Sequence, residues 1–225
     1  MSKVVNIKHL SKSFEKNKFI LKDINFSLEK GSMTALIGAS GEGKTTFLNL
    51  IGSLDNSYNG QIIVAGQDLS LCNDKKLSHL RNTKIGFVLQ EPILIQRLSV
   101  EQNILLPTVY LPSKAKNKAK IVSRMHKLAQ YLDIDSLLPR NPNTLSGGQK
   151  QRVVAVRALI NDPEIVLADE PTGSLDEKNA KTIIRLFKKI KDEGKAILTV
   201  THDKEVAALH ENIFRLSNGK ITKVN

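Results

Sequence analysis

Met33-Thr34-Ala35-Leu36-Ile37, then Gly38-Ala39-Ser40-Gly41-Glu42-Gly43-Lys44-Thr45, then Thr46-Phe47-Leu48-Asn49-Leu50-Ile51, is the stretch from which the fold is read. The short apolar run 33–37 suits a strand buried on both faces. From Thr46 to Leu54, Phe47, Leu48, Leu50, Ile51 and Leu54 cluster on one face of a helix. Between them, residues 38–45 satisfy the pattern G-x-x-x-x-G-K-[ST] in the setting its physics requires. Glycines let successive backbone N–H groups close around a polyphosphate, and the helix N-terminus adds partial positive charge. Lys44 is expected to reach the outer phosphates, and the Thr45 hydroxyl to ligate Mg²⁺. The loop residues Gly38, Ala39, Ser40, Gly41, Glu42, Gly43, Lys44, Thr45 and Thr46 are therefore the expected nucleotide contacts.

Outward from this loop the pattern alternates. Upstream, Ile24, Phe26 and Leu28 alternate with Asn25, Ser27 and Glu29 before a Gly31-Ser32 turn, which predicts strands. Residues 61–65 and 84–89 read as further strands, Ile165 to Ala168 as a buried strand, and Ala196 to Val200 as another. Ala180, Ile183, Ile184, Phe187 and Ile190 mark an amphipathic helix, and a short helix is expected after His202. The end, 213–222, reads as a hairpin with an Asn218-Gly219 turn. Such alternation predicts an α/β core with a mostly parallel sheet and antiparallel strands on its N-terminal side.

The middle of the chain breaks this rhythm. Pro92, Pro107, Pro112, Pro139 and Pro142 surround a helix in which Ile121, Val122, Met125, Leu128, Ala129 and Leu132 recur at helical spacing. An inserted helical subdomain is expected there. Its outer face carries Lys114, Lys116, Lys118, Lys120, Arg124 and Lys127, a solvated face or a contact with a partner or lipid headgroups.

With 225 residues, 40% hydrophobic and 25% charged, the chain has the composition of one folded domain. No apolar stretch approaches the roughly 20 residues a bilayer-spanning helix needs. The first residues show no secretory signal, and the single cysteine, Cys72, cannot form an internal disulfide, so a reducing, cytoplasmic setting is expected. The formal charge of +12 is read as a basic solvated surface, with anionic headgroups as the alternative. Nucleic acid is not expected, because 4% aromatic residues and no Trp leave few rings for base stacking.

A second motif narrows the function. Leu145-Ser146-Gly147-Gly148-Gln149 opens a helix whose Val153, Val154, Val156, Leu159 and Ile160 are apolar. A serine and two glycines at a helix start form another anion site of backbone donors, so one chain offers two phosphate-binding helix ends. At the end of the Ile165 to Ala168 strand stand Asp169 and Glu170, at the edge where α/β sheets bind ligands.

These motifs, in this order over nearly the whole chain, resemble the ATP-binding cassette (ABC) family, whose signature is Leu-Ser-Gly-Gly-Gln. The resemblance implies a P-loop NTPase core across residues 1–225, made of about 1–90 and 160–225, with the helical subdomain at about 91–159. It implies hydrolysis of ATP with Mg²⁺, at a site completed by the signature residues 145–149 of a second copy of the chain. Asp169 matches the aspartate that acts on Mg²⁺ and its waters, and Glu170 the glutamate that activates the attacking water. Gln90 matches the glutamine that touches Mg²⁺ or that water, and Leu89 departs from the aromatic usual before it. His202 matches the histidine on the γ phosphate. Ser174, Leu175 and Asp176 match the loop along the dimer interface, with Asp176 also suited to cap the next helix. Phe14 stands where the family stacks an aromatic on adenine, with Phe19 as the rival.

The wording of 168–176, together with Arg81 to Gly86 and Leu98 to Pro107, resembles the macrolide-export and lipoprotein-release branch. In that branch such ATPases lie at the cytoplasmic face of the membrane beneath separate permease subunits. Export of a peptide, antimicrobial or lipoprotein is expected, and force transmission to cell-envelope proteins is the alternative.

Overall fold

The structure, a computed structural model, describes residues 2–15, 18–112, 117–173 and 175–224. Two sheets organise it. The larger has six strands: β3 (Met33–Ile37), β6 (Ile85–Val88), β7 (Ile165–Asp169), β8 (Ala196–Thr201), β9 (Asn212–Ser217) and β10 (Lys220–Lys223), in the order β10-β9-β3-β8-β7-β6. All its pairings are parallel except the β9–β10 hairpin. The smaller sheet is antiparallel, with β1 (Lys3–Glu15), β2 (Lys18–Glu29), β4 (Asn59–Val64) and β5 (Gln67–Asp68) in the order β2-β1-β4-β5.

Period-two alternation explains the two cores. In β7, Ile165 and Leu167 face one apolar cluster while Val166 and Ala168 face the other, so every position of the strand body is apolar. The first cluster joins Leu36, Ile85, Leu198 and Phe47 of α1 (Lys44–Ile51) to the antiparallel sheet. Phe26 anchors it, meeting the rings of Phe47 at 5.4 Å and Phe214 at 5.2 Å, both edge to face. The second cluster packs Val88, Val166 and Ile197 against α3 (Val100–Leu105), α4 (Lys118–Tyr131), α5 (Gly147–Leu159) and α6 (Glu177–Asp192). Helices α2 (Asp74–Lys84) and α7 (Lys204–Ala208) complete the order.

Four local outcomes differ from the sequence reading. Helix α1 stops at Ile51, where Gly52 donates its N–H to Leu48 and Ser53 adopts φ 52°, so Leu54 lies past the helix and is 54% exposed. Helix α2 escapes notice because only Leu77 and Leu80 are buried, although Asn73 caps it and Arg81 and Lys84 occupy its last turn. Helix α3 is one and a half turns long, begun by a reciprocal Ser99–Gln102 capping box. In α4, Met125 and Ala129 are buried as the spacing predicts, whereas Val122 is exposed. Lys114, Lys116 and Ser174 lie outside the described residues.

Candidate functional site

The C-terminal edges of β3, β7 and β8 meet at a cleft of about 560 Å³ lined by Ser40, Gly41, Gly43, Lys44, Thr45, Thr46, Gln90, Asp169, Glu170, His202 and Ile20. Parallel neighbours in register bring these ends together: Ile37 lies opposite Thr201, and Asp169 opposite Val200. Residues remote in sequence thus converge where strand ends leave backbone groups free.

The loop is built around two close approaches. A Cβ on Gly38 would lie 2.5 Å from the Leu216 carbonyl oxygen of β9, and Gly43, with φ 98°, carries the left-handed turn into α1 against the Ile20 side chain. Lys44 Nζ donates to the carbonyls of Gly38 and Ala39, each at 2.9 Å, so the ammonium is held inside the curl of the loop. The Glu42 carboxylate turns away and accepts the Asn218 N–H at 2.8 Å, tying the loop to the β9–β10 turn.

Opposite Lys44 stand the carboxylates. Thr45 Oγ1 donates to Asp169 Oδ2 at 2.8 Å. Burial pushes the Asp169 carboxyl above its ordinary range, the charge of Glu170 adds to this, and the Thr45 bond and Lys44 oppose it. Glu170 has φ 44°, a left-handed conformation rare for a side chain of its size and a form of strain found at functional sites. Its amide extends the β7–β8 ladder by bonding the Val200 carbonyl at 2.9 Å. Its carboxylate accepts from Thr201 Oγ1 at 3.0 Å, the His202 N–H at 2.9 Å and the His202 ring Nδ1 at 2.7 Å. The glutamate side chain is 12% exposed and the histidine ring 71%, so the carboxylate sits within and the ring at the mouth.

The signature residues are not in this cleft. Ser146 caps α5, its hydroxyl accepting the Gln149 N–H at 3.3 Å while its own N–H donates to Gln149 Oε1 at 2.9 Å. Leu145 is buried beneath this turn. Around Gly147 an added Cβ would meet nothing within 4 Å, whereas at Gly148 it would lie 2.7 Å from Asn179 Nδ2. Asn179 in turn bonds Asp176, which caps α6, and Leu175 packs at the edge of the apolar cluster. Phe14 is 64% exposed with Lys12 Nζ 4.8 Å from its ring centre, and Phe19 is also exposed.

Ile20, Thr201 and Asn218 were not expected at the site. Ile20 is a strand residue with no chemistry of its own, and only its contact with Gly43 places it there. Among the described residues no helix is long and apolar enough to cross a membrane, and no three His, Cys, Asp or Glu side chains form a metal cluster.

Comparison with known proteins follows the same lines. Residues 21–173 match the family described as ABC transporter. The chain is 40% identical over 216 residues to the lipoprotein-releasing system ATP-binding protein LolD of Aquifex aeolicus, covering 96% of this chain and 93% of that one. It is 37% identical over 221 residues to the macrolide export ATP-binding/permease protein MacB of Mannheimia succiniciproducens, covering 97% of this chain and 34% of MacB. The chain therefore spans about a third of the length of that relative. Among solved structures, the dimeric post-hydrolysis state of the ATP-binding cassette MJ0796 bound to ADP and Pi is similar with a TM-score of 0.87 at 34% identity, covering 98% of this chain and 99% of that one.

Proposed function

The chain belongs to the ABC transporter family, and from that premise we propose that it binds and hydrolyses ATP in a site shared by two copies, driving a separate membrane permease. The observation that carries this reading is the convergence of Lys44, Thr45, Asp169, Glu170, Gln90 and His202 on one cleft.

The loop amides and Lys44 bind the polyphosphate, acting as fixed donors that need no rearrangement as charge shifts in phosphoryl transfer. Thr45 Oγ1 and Asp169, already 2.8 Å apart, suit one hard cation with few protein ligands, and a partly buried carboxylate beside Glu170 favours a countercharge. Mg²⁺ fits that donor pair, with Gln90 lining the same wall. Bound there, it would neutralise charge on the phosphates. Glu170 accepts a proton from the attacking water, and His202, oriented by its 2.7 Å bond to Glu170, faces the outer phosphate. Phe14 offers the base an exposed ring.

Ser146, Gly147, Gly148 and Gln149 supply a second helix N-terminus facing outward, supporting a role on the partner's nucleotide. Leu175 and Asp176, with Ser174 between Gly173 and Leu175, would run along that interface. The helical part at about 91–159 is read as a subdomain of one domain, 1–225, because α3, α4 and α5 all fall between β6 and β7.

A groove of about 750 Å³ lined by Leu54, Phe87, Leu89, Pro107, Tyr110 and Ala158 is assigned to a permease segment. MacB carries ATP-binding and permease functions in one chain, and Leu89 on this groove directly precedes Gln90 in the cleft. Peripheral attachment at the cytoplasmic face of the membrane follows, with export of a peptide, antimicrobial or lipoprotein as the work done.

The decisive experiment is Glu170→Gln. The variant should bind ATP and run as a dimer in sizing, while Lys44→Ala should lose nucleotide binding. Only monomer at saturating ATP would refute the two-copy site, and undiminished ATP affinity in Lys44→Ala would refute the loop.

A further inference from the structure

Outside the cleft, one buried side chain holds two of its loops at once. Gln151 lies on α5, five positions beyond the Ser146 cap, and is 1% exposed. Its Nε2 donates to the Leu89 carbonyl at 3.0 Å and to the Pro171 carbonyl at 3.2 Å. Leu89 immediately precedes Gln90, and Pro171 immediately follows Glu170. The two residues expected to handle the attacking water are therefore each one peptide away from a carbonyl held by the same nitrogen.

The residue type suits this task and no simpler one. A carboxamide nitrogen presents two donors in a plane and carries no charge into the interior. Glutamate at this position would offer no donor, and lysine would bring a charge. The other end of the amide, Oε1, is buried without a hydrogen-bond partner among the described residues, an arrangement that costs stability. A residue serving only to fill space would be better as Met or Leu, which leave no polar atom unpaired. The two carbonyls explain the amide.

Helix α5 is tied to the cleft at a second place. Near its start, Gly148 lies against Asn179, which bonds Asp176 of the loop after Glu170. The helix that carries the outward-facing signature is thus linked through Gln151 to the Gln90 and Glu170 loops, and through Asn179 to the Asp176 loop.

We infer that Gln151 is a positioning residue for hydrolysis: it sets the Gln90 and Glu170 loops relative to each other and makes both follow α5. The inference rests on the ATPase reading of the cleft. When the N-terminus of α5 engages the partner's nucleotide, a small displacement of the helix moves both carbonyls with it, so that one site is assembled as the other is contacted.

The test uses Gln151→Met, which keeps the volume and removes the donors, and Gln151→Leu, which removes every polar atom of the side chain without adding charge. Turnover by the parent chain is measured first, and its absence would defeat the ATPase reading rather than this one. In both variants kcat should fall about tenfold or more while the equilibrium Kd for ATP stays within about twofold, a split that a generally loosened fold does not produce. In a Gln90→Ala background the further loss from Gln151→Met should shrink to about threefold or less, because residues that act through one another are not additive. If Gln151→Met does not fold, Gln151→Asn carries the same measurements, since it keeps the amide one methylene short of both carbonyls. Unchanged kcat, a parallel loss of kcat and ATP affinity, or full additivity with Gln90→Ala would each overturn the assignment.

Discussion

Gly147→Ala places one methyl group where the described chain has open space, since a Cβ there meets nothing within 4 Å and the backbone is not left-handed. The monomer should therefore tolerate it. Alanine is favoured over glycine inside helices by about 0.8–1.0 kcal/mol, so the melting temperature should stay or rise slightly. The consequence appears when a second copy docks its nucleotide on the start of α5. A methyl forced into a close-packed contact costs about 1–3 kcal/mol. In a two-fold dimer the substitution occurs at both sites, so the penalty is about 2–6 kcal/mol, or roughly thirtyfold to more than ten-thousandfold in the dimer constant. Sedimentation velocity on Glu170→Gln with and without Gly147→Ala, at fixed ATP across a protein dilution series, reads that shift. The double variant should remain monomeric where the single one is dimeric. Equal dimerisation of the two, with the monomer equally stable, would refute the claim that this helix end faces the partner's phosphates.

Three more outcomes are expected. Gly38→Ala, whose Cβ would lie 2.5 Å from the Leu216 carbonyl oxygen, should cost about 1–3 kcal/mol and lower ATP affinity by displacing the carbonyl that holds Lys44; an unchanged melt would refute the close approach. Asp169→Asn should raise thermal stability at pH 7 without nucleotide: burial raises the folded-state pKa, so the charged form is penalised as pH climbs above the ordinary 3.8. The same variant should lose Mg²⁺-dependent turnover, and a lower melting temperature without nucleotide would contradict the burial argument. His210, whose Nδ1 donates to the Val206 carbonyl at 2.9 Å and whose Nε2 accepts from Thr199 Oγ1 at 2.8 Å, is held neutral. Burial and, more weakly, Lys188 depress its pKa, the hydrogen bonds with the Val206 and Ala207 backbone and then Glu211 oppose them, and the stability it contributes is lost as pH falls below about 6.5. The difference in urea midpoint between the parent chain and His210→Gln should narrow from pH 7.5 to 5.5, and a constant difference would refute the assignment.

The elements that could be read in advance are those whose signal is local. Strands β3, β7 and β8 are short runs buried on both faces, and such runs are mainly apolar, with Thr34, Thr199 and Thr201 the polar residues buried among them. The hairpin turn was readable because Asn218 and Gly219, at φ 51° and 78°, occupy the left-handed region that Asn and Gly tolerate best. Helix α2 was not readable because its burial depends on two leucines, and α3 because it is held by caps and packing rather than by a long apolar stripe. The exposed Phe14 and Phe19 show why sequence alone left them as rivals: neither has a core partner to give it a distinguishing neighbour pattern.

By itself the sequence determined the order strand, glycine loop, helix, the second glycine-bearing helix start and the acidic pair at a strand end. Each of these follows from backbone periodicity or from donors and acceptors a few residues apart. Only the tertiary structure decided that Asp169 lies 2.8 Å from Thr45, that Glu170 and His202 share a hydrogen bond, that Glu42 turns its charge away to Asn218, and that Gln151 spans two loops. Those contacts join residues from 20 to 176 positions apart, and such pairs are set by parallel register and helix packing, which no local pattern encodes.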